Sequence, residues 1–183
     1  EMKVGTRPLR KEVHYLPFPP GGKGQPYGRL ASDDDVGVYS REEAGGLILV
    51  GSIDPKCDPL DWVDDPDDFN REVTEGQWKA QVYRMGLRIP ELEIPNRTKG
   101  VVDLYDATDD WIPIYDRSSL NGFYLAVGTS GNQFKTAPMV GQLMAELIEA
   151  CESGQDHDAD PVHVRGPHTG RDLNIGFYSR NRE

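Results

Sequence analysis

Gly122-Phe123-Tyr124-Leu125-Ala126-Val127-Gly128-Thr129-Ser130-Gly131-Asn132-Gln133-Phe134-Lys135, running on into Thr136-Ala137-Pro138-Met139-Val140-Gly141, decides the reading of this chain. Residues 122–127 are nearly all apolar, as in a strand buried on both faces. Residues 136–151 read as a helix: Val140, Leu143, Met144, Leu147 and Ile148 line one face. Pro138 suits its first turn, and Gly154 sits just past its end. A strand, a Gly-rich loop and a helix in that order present backbone N–H groups and the positive end of a helix dipole at the loop. A Gly-bearing turn between strand and helix also arises for steric reasons alone, so the surrounding residues have to decide.

Upstream, residues 8–18 read as a strand, and 17–24, with three prolines and three glycines, break it. A loop is expected to about residue 35. Residues 36–41 and 47–51 form strands joined by a Gly-containing turn, a β-hairpin. Residues 67–87 carry Phe69, Val73, Trp78, Val82 and Tyr83 at helical spacing, with Asp67 or Asp68 as the expected cap. Pro90 and Pro95 exclude further helix there. Residues 100–105 and 112–115 read as two more strands. The polar tail from residue 155 is expected to be mostly loop, with 174–178 docked on the body.

The chain has 183 residues and a net charge of −11, which disfavours a phosphate-backbone partner. No apolar run reaches membrane-spanning length. The start has no signal-peptide pattern. Cys57 and Cys151 fit no ligand spacing and read as thiols in a reducing compartment, so the cytoplasm is the expected setting. The Asp-rich stretches lack the offsets of a calcium loop. His157, His163 and His168, with Asp156, Asp158 and Asp160, match no common ligand pattern, so no metal site is expected. No Gly-x-Ser-x-Gly elbow occurs.

Three motifs stand in order: Thr108-Asp109-Asp110-Trp111-Ile112-Pro113, the loop from Gly128 to Lys135, and Ala137-Pro138-Met139-Val140-Gly141. Together they resemble the C-terminal signature of the D-amino-acid oxidase-like FAD-dependent oxidoreductases, a family that includes sarcosine oxidases, dimethylglycine dehydrogenases and glycine oxidases. Pro8-Leu9-Arg10 and the 36–51 hairpin look like that family's substrate-domain strands. Gly176-Phe177-Tyr178-Ser179-Arg180-Asn181-Arg182 looks like its terminal segment. The resemblance implies an α+β fold: an antiparallel substrate-domain sheet with a packed helix over residues 1–107, then the C-terminal strand-loop-helix piece of an FAD-binding α/β domain over 108–183.

It also implies an activity, oxidation of the C–N bond of an amino acid or N-methylated amine by hydride transfer to flavin. Gly128, Thr129, Ser130, Gly131, Asn132, Gln133, Phe134 and Lys135 would contact the pyrimidine side of the isoalloxazine. The helix dipole would favour the negative charge that reduced flavin carries there. Lys135 matches a lysine that helps bind the substrate carboxylate. Tyr105 matches a tyrosine on the substrate side of the flavin, and Tyr39 a substrate-domain position that lines the pocket. The plain alternatives are a solvated lysine and two ordinary sheet aromatics.

Departures from the family pattern shape the expectation. Asp103 stands where monomeric sarcosine oxidases place a flavin-linked cysteine, so non-covalent FAD is expected. Leu49 stands where those oxidases carry a lysine that promotes reaction with oxygen, which makes a dehydrogenase credible. Asn132 replaces a common histidine. No G-x-G-x-x-G turn opening a helix occurs in these residues. The chain is therefore expected to correspond to the C-terminal half of the family, to need the ADP-binding half or a partner chain, and to be inactive alone. The rival expectation is a non-catalytic binding or assembly module without flavin.

Overall fold

Residues 8–18, expected as a strand, open the first sheet. In the computed structural model, which describes residues 2–20, 30–53 and 58–182, this segment is β1 (Thr6–Pro17). Arg10, Glu12, His14 and Leu16 are buried and the residues between them are half-buried, the period of two that a pleated strand imposes. Cys57 and the glycines at 21, 22 and 24 lie outside the described residues. The chain divides into two compact units, Leu9–Leu104 and a second made of Glu1–Pro8 with Tyr105–Glu183.

In the first unit, β2 (Ala31–Asp33), β3 (Val38–Glu43), β4 (Leu47–Ser52) and β5 (Asp61–Trp62) assemble with β1 in the order β2-β3-β4-β1-β5. The strand β6 (Gly100–Thr108) also pairs with β1. Neighbours along the path are antiparallel, with Tyr15 opposite Leu49 and Tyr39 opposite Gly51. This is the expected mixed fold with an antiparallel sheet. The hairpin strand starts two residues later than its apolar run. Gly37 is left-handed, and the Asp33 carboxylate accepts from the Asp35 and Val36 N–H groups, so a turn occupies those positions.

The helix α1 (Glu75–Gly86) packs Trp78, Val82 and Met85 on Leu16, Val38, Ile48 and Val50. It begins later than the apolar spacing suggested, and neither Asp67 nor Asp68 caps it. Thr74 is the cap, and its Oγ1 accepts from the Gln77 N–H at 3.3 Å. Glu12 on β1 sets this start. Its carboxylate accepts from the Thr74 N–H at 2.8 Å and the Thr74 hydroxyl at 2.9 Å. Arg10 binds the carbonyls of Asn70 and Glu72 at 2.6 Å each, which holds the preceding residues out of helical geometry. Thr74→Ala is expected to lower stability by about 1 kcal/mol, read as a lower urea midpoint at unchanged slope.

In the second unit, β7 (Ile114–Arg117) and β8 (Tyr124–Val127) form an antiparallel pair, followed by α2 (Ala137–Glu152). Leu143 and Leu147 of α2 pack with Tyr115, Val162, Val164 and Ile175. Ile148 is exposed, so the buried stripe is narrower than the apolar face. β8 is not buried on both faces: its residues are half-buried and Ala126 is exposed. It belongs to a two-stranded sheet with β7.

The tail is more ordered than its polar composition suggested. It forms the antiparallel pair β9 (His163–Arg165) and β10 (Asp172–Asn174), then a 3-10 turn, Ile175–Tyr178, that buries Ile175 completely. Charge pairing orders it. Buried Asp116 accepts from the Ser179 hydroxyl at 3.1 Å, the Arg180 N–H at 2.8 Å and the Arg180 guanidinium at 2.9 Å. Arg180 also clasps Asp158 at 3.0 Å through two nitrogens. His157 accepts from the Val162 N–H at 3.0 Å through Nδ1, which places its proton on Nε2, 3.7 Å from Asp116.

These groups give the second unit an acid-sensitive stability. Burial pushes His157 below its ordinary value of about 6.5. A buried neutral histidine stabilises above that value, and its contribution is lost as pH falls below it. The Arg180 hydrogen bonds pull Asp158 down to about 2. Its contribution is complete above about pH 4 and is lost as pH falls towards 2. Thermal midpoints measured from pH 7 down to 2 are expected to fall throughout. His157→Gln is expected to flatten the upper part of that fall.

Candidate flavin-facing loop

β8 runs into the loop at Gly128, and the backbone turns left-handed at Gly128 (φ +68), Ser130 (φ +49) and Gly131 (φ +71). The last two are consecutive. A serine there costs about 1–2 kcal/mol, so bonds must hold it. The Ser130 N–H donates to the Asp106 carbonyl at 2.8 Å. Its Oγ donates to the Gly128 carbonyl and accepts from the Thr108 N–H, both at 3.3 Å. The Gly128 N–H donates to the Asp106 carboxylate at 2.6 Å. Thr108 Oγ1 donates to the Ile112 carbonyl at 2.9 Å, which fixes the following turn.

The glycines are required by the protein's own packing. A Cβ at Gly131 would lie 2.1 Å from the Tyr105 ring, and one at Gly128 would lie 2.6 Å from the Thr108 methyl. The steric reason considered for a glycine turn therefore applies at both positions. Beyond Ser130 the loop is open to solvent: Gly131, Asn132 and Lys135 are exposed, and Phe134 is 99 % exposed. Among the described residues, the N–H groups of Gly131, Gln133 and Phe134 meet no acceptor. A single 3-10 turn, Phe134–Thr136, leads into α2, whose first residues have no side-chain cap. Uncapped amides at a helix mouth favour an acceptor or negative charge.

Tyr105 and Lys135 lie in the same unit as the loop, Tyr105 with its ring against Gly131. The Lys135 ammonium folds back on Asn132, donating to its carbonyl at 2.9 Å and to its side-chain oxygen. Gln133 Oε1 accepts from the Tyr115 hydroxyl at 3.1 Å and the Thr136 hydroxyl at 2.6 Å. The half-buried Thr129 accepts from the Asn132 N–H at 3.0 Å. Beside the loop, Tyr115, Gln133, Thr136, Met139, Leu173 and Phe177 line an open cleft of about 420 Å³. Tyr39 stands on the sheet of the other unit, its ring covering Gly51 on the facing strand. Leu49, on β4, is buried, and Asp103 is exposed on β6 with its carboxylate accepting from the Leu104 N–H at 2.8 Å.

Sequence reasoning missed Asp106, which anchors the loop, and Arg182. The latter grips Asp110 through two nitrogens at 2.7 and 2.9 Å, and holds its carboxyl far below the usual carboxylate range. The motif Thr108-Asp109-Asp110-Trp111-Ile112-Pro113 is thus a structural turn tied to the end of the chain. Trp111 within it is left-handed, φ +62. Asp156 and Asp158 pair with Arg117 and Arg180.

The family model for FAD dependent oxidoreductases matches residues 2–147. The chain belongs to that family. The match covers the hairpin, the loop and most of α2, and it stops before the terminal segment at 176–182. Its members depend on FAD, and the N–H groups of Gly131, Gln133 and Phe134, which meet no acceptor among the described residues, suit the polar edge of an isoalloxazine, which offers acceptors there. The chain is 30 % identical over 147 residues to the Bos taurus "FAD-dependent oxidoreductase domain-containing protein 1", covering 76 % of this chain and 28 % of that protein. It is 23 % identical over 121 residues to the glycine oxidase of Geobacillus kaustophilus, covering 66 % of this chain and 29 % of that protein. It thus spans under a third of either relative. In fold it is similar to the L-proline dehydrogenase from P. horikoshii, with a TM-score of 0.66 at 18 % identity over 98 % of this chain and 41 % of that one. No helix among the described residues is long and apolar enough to cross a membrane.

Proposed function

We propose that this chain carries the flavin-edge loop and part of the substrate domain of an enzyme that oxidises the C–N bond of an amino acid or N-methylated amine. It would correspond to the C-terminal half of the family fold, with the ADP of FAD held by residues outside these 183. The Leu9–Leu104 unit would be the substrate-domain portion. The other unit would be the flavin-domain portion, near the division at residue 107 that the sequence suggests. The observation that carries the reading is the pinned left-handed turn with unpaired amides at the uncapped mouth of α2. The named relatives support the substrate class, one being a glycine oxidase and another a proline dehydrogenase. A reducing, cytoplasmic setting suits the free thiol of Cys151.

FAD, when bound, supplies the two-electron acceptor. The residues of this chain orient and bind. The amides of Gly131, Gln133 and Phe134 would meet the C2 carbonyl region, non-covalently. Tyr105 supports the loop from beneath and would border the substrate side; Tyr39 would be a substrate-contacting residue of the substrate-domain portion. Lys135 would exchange its bond to Asn132 for the substrate carboxylate. In a flavin-loaded protein of family length carrying this segment, Lys135→Met is expected to raise KM for carboxylate-bearing amines at least about 10-fold, the scale of one lost charge-assisted bond. Amines without a carboxylate would be unaffected. A dye-reduction screen measures both, and equal KM values for wild type and variant would remove Lys135 from the site.

A further inference from the structure

We infer that Asp106 is a positioning residue for the flavin-edge loop, a role that rests on the functional reading above. Three successive features of β6 clamp the turn. The Tyr105 ring fills the space beneath Gly131, the Thr108 methyl fills the space beneath Gly128, and Asp106 bonds the backbone between them. Asp106 makes two kinds of bond there. Its backbone carbonyl takes the Ser130 N–H at 2.8 Å, a contact that any residue at 106 can make. Its carboxylate takes the Gly128 N–H at 2.6 Å, a contact that only an acceptor side chain of this length makes.

The carboxylate therefore acts as an internal anion for the first amide of the turn. Charge-assisted bonds of this kind are short and strong. With Gly128 held, the chain enters the left-handed turn at Ser130 and Gly131, and the N–H groups of Gly131, Gln133 and Phe134 are left without acceptors among the described residues. Asp106 is exposed, so core packing does not explain it. Its second oxygen has no partner among the described residues.

The test compares wild type, Asp106→Ala and Asp106→Asn in the 183-residue chain. The alanine variant keeps the backbone bond and loses the side-chain bond. The asparagine variant keeps a neutral acceptor of the same length. Amide hydrogen exchange read by NMR is expected to rise at least tenfold at Gly128 and Ser130 in Asp106→Ala. It is expected to return to within threefold of wild type in Asp106→Asn, with α2 amides such as Leu147 unchanged in both. Lumiflavin, an isoalloxazine without the ADP half, is the second probe. Quenching of its fluorescence is expected to weaken at least fivefold in apparent affinity with Asp106→Ala and to recover with Asp106→Asn. Exchange at Gly128 and Ser130 within threefold of wild type in the alanine variant overturns the inference. So does faster exchange with unchanged lumiflavin affinity. If wild type itself fails to quench lumiflavin, the flavin-edge reading fails, and the positioning role falls with it even where exchange shows the latch.

Discussion

Replacing Asp116 by Ala is expected to remove about 3–5 kcal/mol of stability from the unit built on α2, the scale seen when one partner of a buried ion pair is deleted. Asp116 is fully buried and accepts from the Arg117 N–H, the Ser179 hydroxyl, the Arg180 N–H and the Arg180 guanidinium. Its loss leaves Arg180, itself 5 % exposed, with Asp158 alone. Two backbone donors and a hydroxyl lose their acceptor at the same time, and each unmet buried donor adds to the cost. Amide exchange of Leu147 as urea is raised reports this unit directly, whereas Val82 reports the other. A loss below about 1 kcal/mol at Leu147, the worth of an exposed pair, would show that the tail docks by packing alone.

The second large effect is expected at Gly131. Gly131→Ala places a methyl 2.1 Å from the Tyr105 ring at a residue with φ +71. The left-handed backbone costs about 1–2 kcal/mol for any L side chain, and overpacking against the ring adds about 1–3 kcal/mol. The turn is expected to move instead of the sheet, since the loop is exposed beyond Ser130. Lumiflavin quenching by the chain is then expected to be lost, while the amides of β7 keep their protection. Combining Gly131→Ala with Tyr105→Ala separates the two terms. The double variant should recover the overpacking part and keep the backbone part. Equal stability of single and double variants would mean that the ring is not what the glycine accommodates.

Residues whose roles follow from local patterns were legible in the sequence. The apolar residues within 8–18, the paired glycines of the 42–46 turn and the stripe through Leu143 and Leu147 each report nearest-neighbour physics, although the face of β1 that is buried carries Arg10, Glu12 and His14. β1, the β3–β4 hairpin and α2 emerged with bounds shifted by a residue or two. What was hidden depends on partners distant in sequence. Thr74 caps α1 because Glu12, on a different element, holds it. The polar tail folds because Arg180 finds Asp116 and Arg182 finds Asp110, pairings that no spacing announces. At the loop, the motif located the turn, and of the two reasons for its glycines the steric one is visible in the packing. Tyr105 and Thr108 lie against Gly131 and Gly128, and the N–H groups of Gly131, Gln133 and Phe134 meet no acceptor among the described residues. Asp106 carried no signal, because an exposed aspartate on a strand has no local pattern that marks it as an anchor.

The proposed function requires the loop from 128 to 136 to receive an isoalloxazine edge. The most direct measurement is a titration of the isotopically labelled chain with lumiflavin, followed by amide chemical shifts. Saturable shifts concentrated at Gly131, Gln133, Phe134 and the first turn of α2, with no response along α1, are the predicted result. Shifts spread without saturation, or centred on α1 around Tyr83 while the loop stays silent, would contradict it.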